Sequence, residues 1–144
     1  MLLQTAPLRE RFPVEEIAIA EPSEGGSAGW VGRQGSWWQR KKRPQLECML
    51  GQVGAVLRAH PEWGTRPLRI VDVGGGKGSL AQAIGNEFGE NVAVTVLDIQ
   101  REAVAKGAHR VKQRGMPNLE FVHGDASRTR FEHGLDLVVA LHAW

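Results

Sequence analysis

The chain is short of the residues that mark small secreted, metal-binding or membrane proteins. It has one cysteine, Cys48, in 144 residues, which excludes an internal disulfide and any multi-cysteine zinc site. Five histidines, at positions 60, 109, 123, 133 and 142, show no ligand spacing of the His-Glu-x-x-His kind, and no metal is expected. Tyrosine is absent and aromatics make up 6% of the chain. No apolar stretch approaches the ~18 residues that a membrane helix needs. Glu10, Glu15 and Glu16 interrupt the N-terminal region and leave no apolar heart of a signal peptide, so cytoplasmic residence is the expectation. Excess charge is scarce as well. Lys+Arg number 18 against 16 Asp+Glu, a net charge of +2, so contact with nucleic acid would have to be local, at the Arg40-Lys41-Lys42-Arg43 cluster.

Glycine is plentiful, and it gathers at one place. Leu68 to Leu80 reads LRIVDVGGGKGSL: an apolar run meets Gly74, Gly75, Gly76 and Gly78, and a helical pattern follows. Strand, tight glycine turn and helix together make a cradle for a nucleotide-like ligand. The turn brings bare backbone close to the ligand, and the first N–H groups of the helix face the same spot. A phosphate-binding P-loop needs Gly-Lys followed by Ser or Thr; here Gly78 follows Lys77. The dinucleotide fingerprint wants a small residue where Ser79 stands, a poor match. What stands here is Asp72-x-Gly74-x-Gly76-x-Gly78. Taken alone, such a turn also serves as an ordinary strand-to-helix connection.

Acids follow at telling distances. Ala93 to Asp98 reads as a buried parallel strand with its acid at the carboxyl end, 24 positions beyond Gly74, where a carboxylate can accept hydrogen bonds from ribose hydroxyls. The bland role for Asp98 is a helix N-cap. Asn118 to Val122 alternates as a third strand and runs into His123-Gly124-Asp125-Ala126, where Asp125 is otherwise a turn acid. Gly134 to Ala143 reads GLDLVVALHA, a fourth apolar strand ending in Leu141-His142-Ala143.

Asp-x-Gly-x-Gly-x-Gly with the two later acids resembles motif I and its companions in the class I S-adenosylmethionine-dependent methyltransferases. Leu141-His142-Ala143 resembles the Leu-His-Ala-Cys-Gly sequence closing strand four in a branch that includes a tRNA ribose 2′-O-methyltransferase. That branch also places a basic, Glu-containing helix before motif I, where Lys41-Lys42-Arg43 and Glu47 stand here. The resemblance spans about residues 37–143; Trp144 departs from it, where the branch has Cys. It implies an α/β, partial Rossmann-like methyltransferase fold, a parallel sheet of about four strands in the order 3-2-1-4 with flanking helices. It also implies S-adenosyl-L-methionine as cofactor. Gly74, Gly76 and Gly78 would hold its methionine end, Asp98 its ribose and Asp125 its adenine edge; Asp72 would hydrogen-bond donor or substrate groups, and Ile99 and Ala126 are further cofactor-binding candidates. His142 is the candidate catalytic residue, placed to orient the acceptor or take its proton. The acceptor is unspecified, with RNA one option.

Strands are expected near 68–73, 92–98, 118–122 and 135–141. Helices are expected over 44–59, 79–87 and 101–114, the last with Val104, Ala108 and Val111 inward and its basic residues, Arg114 among them, outward. Residues 1–36 read as a flexible lead with a short strand at Glu16 to Ala20, and residues 37–144 as the N-terminal part of a methyltransferase domain. The full family sheet has seven strands, so the missing ones would come from a longer chain, of which this is a fragment, or from a partner. Two rival readings are a nicotinamide-type dinucleotide-binding domain and a non-catalytic fragment.

Overall fold

The strand that carries the glycine turn sits inside a sheet, and its neighbours follow from apolar patterning. The computed structural model describes residues 38–141. The expected N-terminal lead, its strand at Glu16 to Ala20, Trp37 and His142 lie outside the described residues. The chain divides into a unit ending at Gly51 and one from Gln52 to Trp144. In the first, a π-type turn over Trp38–Lys42 leads into helix α1, Arg43–Ala59, which runs across the division. Pro44 sits in the first helical turn, where its missing N–H is no loss. Arg43 Nε donates to Glu47 Oε1 at 2.9 Å, one turn on. Leu46 and Leu50 are buried in this unit; Val53 and Leu57 continue the stripe in the second.

The second unit alternates β1 (Leu68–Val73), α2 (Ser79–Phe88), β2 (Val92–Asp98), α3 (Arg101–Gln113), β3 (Leu119–His123) and β4 (Leu137–Val139). All pairings are parallel and the order is β3-β2-β1-β4, as the alternation of apolar runs and helical stretches predicts. β1 and β2 are apolar on both faces, which suits a central parallel strand. On α2, Leu80, Ala81, Ile84 and Phe88 are all buried. Each large apolar side chain of that stripe contributes roughly 1.5–3 kcal/mol.

Three expectations need correction. The inner position of α3 beside Val104 and Val111 is Gly107, with Ala108 only half-buried. A Cβ at Gly107 would stand 2.2 Å from Phe121 Cε1 and 2.8 Å from the Lys77 carbonyl oxygen, so the missing side chain is what lets α3 close on β3. Arg114 turns inward, its Nη1 donating to Gln82 Oε1 at 2.9 Å, because buried Gln82 needs a partner. β4 pairs only over Leu137–Val139, opposite Ile70 to Asp72, although the apolar run is longer. Its start is bounded by Asp136, whose carboxylate accepts the Arg69 N–H at 2.7 Å and an Arg66 Nη1 bond at 2.7 Å.

At the amino ends of the strands, Arg66 reaches both Asp136 and Glu62, and His60 Nε2 lies 3.4 Å from Asp136 Oδ1. His60, Glu62 and Asp136 bring ligand-type atoms within 4.8 Å of one another, but the guanidinium of Arg66 already engages both carboxylates. The arrangement is a clamp between the segment before β1 and the start of β4.

Candidate functional site

At the opposite edge, the carboxyl ends of β1, β2 and β3 converge. β1 ends in the turn from Gly74 to Gly78, and Gly74, Gly76 and Gly78 have φ of 69°, 57° and 80°. That left-handed backbone favours glycine over any residue with a Cβ. Gly74 N–H donates to the Leu97 carbonyl at 2.8 Å, tying the turn to β2. Gly78 then opens α2, with Gln82 N–H donating to its carbonyl at 2.8 Å. Lys77 is exposed, and its carbonyl accepts a 3.1 Å bond from Gln82 Nε2. Gln82 therefore links the glycine turn to Arg114 beyond α3.

Two carboxylates underlie the turn. Asp98 is buried; its Oδ2 accepts the Gly76 N–H at 2.8 Å and its Oδ1 the Gln100 N–H at 2.7 Å, just ahead of α3. Asp72 is 1% exposed and accepts the Ala81 N–H at the start of α2. Its Oδ2 has no hydrogen-bond partner. A Cβ at Gly75 would lie 2.5 Å from that oxygen, so only glycine fits above it. Burial pushes the Asp72 carboxyl up to about 7, the Ala81 N–H pulls the other way, and the negative charge of Asp98 adds to the rise.

β3 delivers the remaining residues. Gly124 N–H donates to the Asp98 carbonyl at 3.0 Å, and His123 Nε2 lies 3.1 Å from the Ile99 carbonyl oxygen. Ile99 itself is 68% exposed, an apolar side chain held at the rim beside Asp98. Asp125 Oδ1 accepts bonds from Ser127 N at 2.8 Å and Ser127 Oγ at 2.7 Å. These bonds hold its carboxyl below the usual range. Ala126 is exposed next to it.

The structure thus gathers Asp72, Gly74, Gly76, Gly78, Asp98 and Ile99 on adjoining loops and joins Gly124, next to Asp125, to the same edge. Two contributors escaped the sequence reading, and a third, Gly75, was read only as a member of the glycine cluster. Gly75 is required by Asp72, Gln82 braces the turn from within α2, and Gly107 makes room for Phe121. A polar residue in the middle of an apolar helix face was the available signal for Gln82. Gly75 was marked only by its place in the glycine run, and nothing local marks Gly107.

Residues 70–144 match the family described as the methyltransferase domain, and the chain belongs to that family. The ubiquinone/menaquinone biosynthesis C-methyltransferase UbiE of Sinorhizobium fredii is 41% identical over 64 residues, 44% of this chain and 25% of that protein. The release factor glutamine methyltransferase of Bacillus anthracis is 30% identical over 100 residues, 68% of this chain and 34% of that protein. The chain therefore spans about a quarter to a third of these relatives' length. Coclaurine N-methyltransferase, solved with N-methylheliamine and SAH, superposes with a TM-score of 0.54 at 16% identity, over 66% of this chain and 26% of that one. A putative sarcosine dimethylglycine methyltransferase from Galdieria sulphuraria gives 0.53 at 19%, over 69% and 34%. These two likenesses establish the Rossmann-like fold.

Proposed function

We propose that the chain binds S-adenosyl-L-methionine at the Gly74 to Gly78 turn and serves a methyltransferase. The observation that carries this reading is the turn itself: three left-handed glycines pinned by Asp98 through the Gly76 N–H. A Cβ placed on Gly76 would meet nothing nearer than Asp98 Oδ2 at 3.9 Å, so the protein leaves the space before the turn open. Membership in the methyltransferase domain family supports the same reading. Bound there, the donor supplies an electrophilic methyl group on a cationic sulfur.

The chain's part is to hold that group in line with an acceptor, since positioning dominates such a displacement. Gly74, Gly76 and Gly78 hold the methionine end with bare backbone. Asp98 retains acceptor capacity for ribose hydroxyls beside its two backbone bonds, and Ile99 offers an apolar surface to the adenine. Asp125 and Ala126 border the adenine edge. Asp72, whose Oδ2 has no hydrogen-bond partner, accepts a hydrogen bond from, or donates one to, donor or substrate groups at the turn. His142 orients the acceptor or takes its proton.

For the acceptor, Leu141-His142-Ala143 and the basic, tryptophan-bearing stretch from Trp37 to Arg43 favour an RNA ribose, as in the resembled tRNA 2′-O-methyltransferase branch. The names of the curated relatives, UbiE among them, favour a quinone-type ring instead. The sheet would be completed by a longer chain or a partner, since Val138 on edge strand β4 is 57% exposed. Among the described residues no helix is long and apolar enough to cross a membrane, which supports a cytoplasmic setting.

Equilibrium dialysis against labelled S-adenosylmethionine and against NAD tests the binding step. Saturable, tighter binding of the methyl donor is expected. Tighter NAD binding would instead favour a dinucleotide-binding domain, and binding of neither a non-catalytic chain. Transfer of the labelled methyl group to tRNA or to a demethylated quinone then separates the acceptors.

A further inference from the structure

Three successive carbonyl groups lead from β2 into α3, and each has a different partner. The Asp98 carbonyl accepts the Gly124 N–H at 3.0 Å, and the Gln100 carbonyl accepts the Val104 N–H at 3.1 Å as α3 begins. The Ile99 carbonyl, between them, meets the imidazole of His123, whose Nε2 is 3.1 Å away. A carbonyl oxygen can only accept, so Nε2 carries the proton in this contact. Main chain secures the first and third carbonyls; a single side chain secures the middle one.

Register explains how a strand residue reaches so far. His123 stands opposite Asp98 in the last aligned pair of β2 and β3, so its ring extends the pairing one residue beyond the sheet. The residue it holds is a large apolar one left 68% exposed. On the other side of Ile99, Asp98 Oδ1 accepts the Gln100 N–H at 2.7 Å. A β-branched side chain has few χ1 choices, so fixing the Ile99 main chain also fixes where its side chain points. The Asp125 loop is braced by its own residues. The Asp125 carbonyl accepts the Thr129 N–H at 2.9 Å and the Thr129 hydroxyl at 2.8 Å, and the Asp125 carboxylate holds Ser127. The ring of His123 therefore acts on Ile99 and leaves the Asp125 loop to itself.

We propose that His123 is a positioning residue for the methyl donor: by donating to the Ile99 carbonyl, it holds the Ile99 side chain against one face of the nucleoside base. This role rests on the donor site proposed above at the glycine turn. His123 takes no proton in the reaction and acts on the ligand through Ile99.

The test is a calorimetric titration of the full 144-residue chain with S-adenosylmethionine. His123 is exposed, so its variants should stay folded, which thermal melts check. His123→Ala should bind the donor about fivefold more weakly, the worth of one neutral hydrogen bond. His123→Gln keeps an N–H donor at similar reach and should return to within about twofold of wild type. Ile99→Ala should lose about tenfold, and adding His123→Ala to it should cost nothing further, because the two residues act in series. Unchanged affinity in His123→Ala, no rescue by His123→Gln, or fully additive losses in the double variant would overturn this role and leave the donor site standing. A wild-type chain that does not bind the donor would overturn the donor site itself, and this role with it.

Discussion

The two ends of the sheet treat their acids in opposite ways. At the amino ends, Asp136 and Glu62 are matched by Arg66, which lowers the carboxyl of each. At the carboxyl ends, Asp72 and Asp98 are held by backbone N–H groups, and among the described residues no lysine or arginine pairs with either. The first arrangement fastens a strand. The second leaves both carboxyls without a cationic partner beneath a loop of bare backbone, and burial there disfavours the charged form of Asp72. The same fold thus uses carboxylates once as fasteners between cations and once as acceptors of backbone N–H groups at the turn proposed to hold the donor.

The sharpest test of that contrast is the pH dependence of folding. Asp72 has its folded pKa raised to about 7, so its favourable contribution is complete below about 4 and is lost as pH rises through about 7. The whole effect is about 4 kcal/mol. Urea unfolding of the wild type should therefore show a loss across that window, and isosteric Asp72→Asn should flatten it. If Asp72→Asn keeps the full slope, Asp72 is not the titrating group. Asp136 acts with the opposite sign in a lower window: its carboxyl is lowered by Arg66, so its contribution is present above about 4 and lost as pH falls further.

Next in size is Gly107→Val, which should cost about 3 kcal/mol by overpacking against Phe121 and the Lys77 carbonyl. A lower urea midpoint at constant slope would show it, and a midpoint within error of wild type would mean that α3 does not press on β3 as described. Gly76→Leu should stay folded, with a modest cost for its left-handed backbone, yet bind S-adenosylmethionine at least ~100-fold more weakly, about 2.8 kcal/mol. Calorimetric titration would register unchanged affinity as a failure of the proposed pocket. Smallest is Arg66→Ala. Loss of the clamp should lower the melting temperature less than Gly107→Val does, leave donor affinity alone, and move acid unfolding to higher pH. A change in donor affinity would show the two ends to be coupled.

Much of this was legible in the sequence, for local reasons. The apolar runs ending at Val73 and Asp98 announce parallel strands, and clustered glycines between strand and helix announce a tight turn, which the later acids at their spacing then set apart from an ordinary connection. Asp72 and Asp98 fall at strand ends, so their nearness to the turn follows from the fold. Longer-range facts were not legible. β4 was read too long because the apolar run gives no sign that Asp136 is drawn to Arg66. Gly107 was passed over in favour of Ala108 because an apolar stripe counts side chains, whereas here the absence of one makes the contact. Arg114 looked like surface charge until Gln82 was seen buried opposite it.

One consequence of Asp98 remains. A single carboxylate grips both the glycine turn and the chain entering α3, so the two segments cannot wander independently. Much of the conformational entropy that an incoming ligand would otherwise have to remove is already surrendered when the domain folds. In the proposed function, a nucleoside arriving at this edge would meet a surface set in advance, with more of its contact energy left to show as affinity.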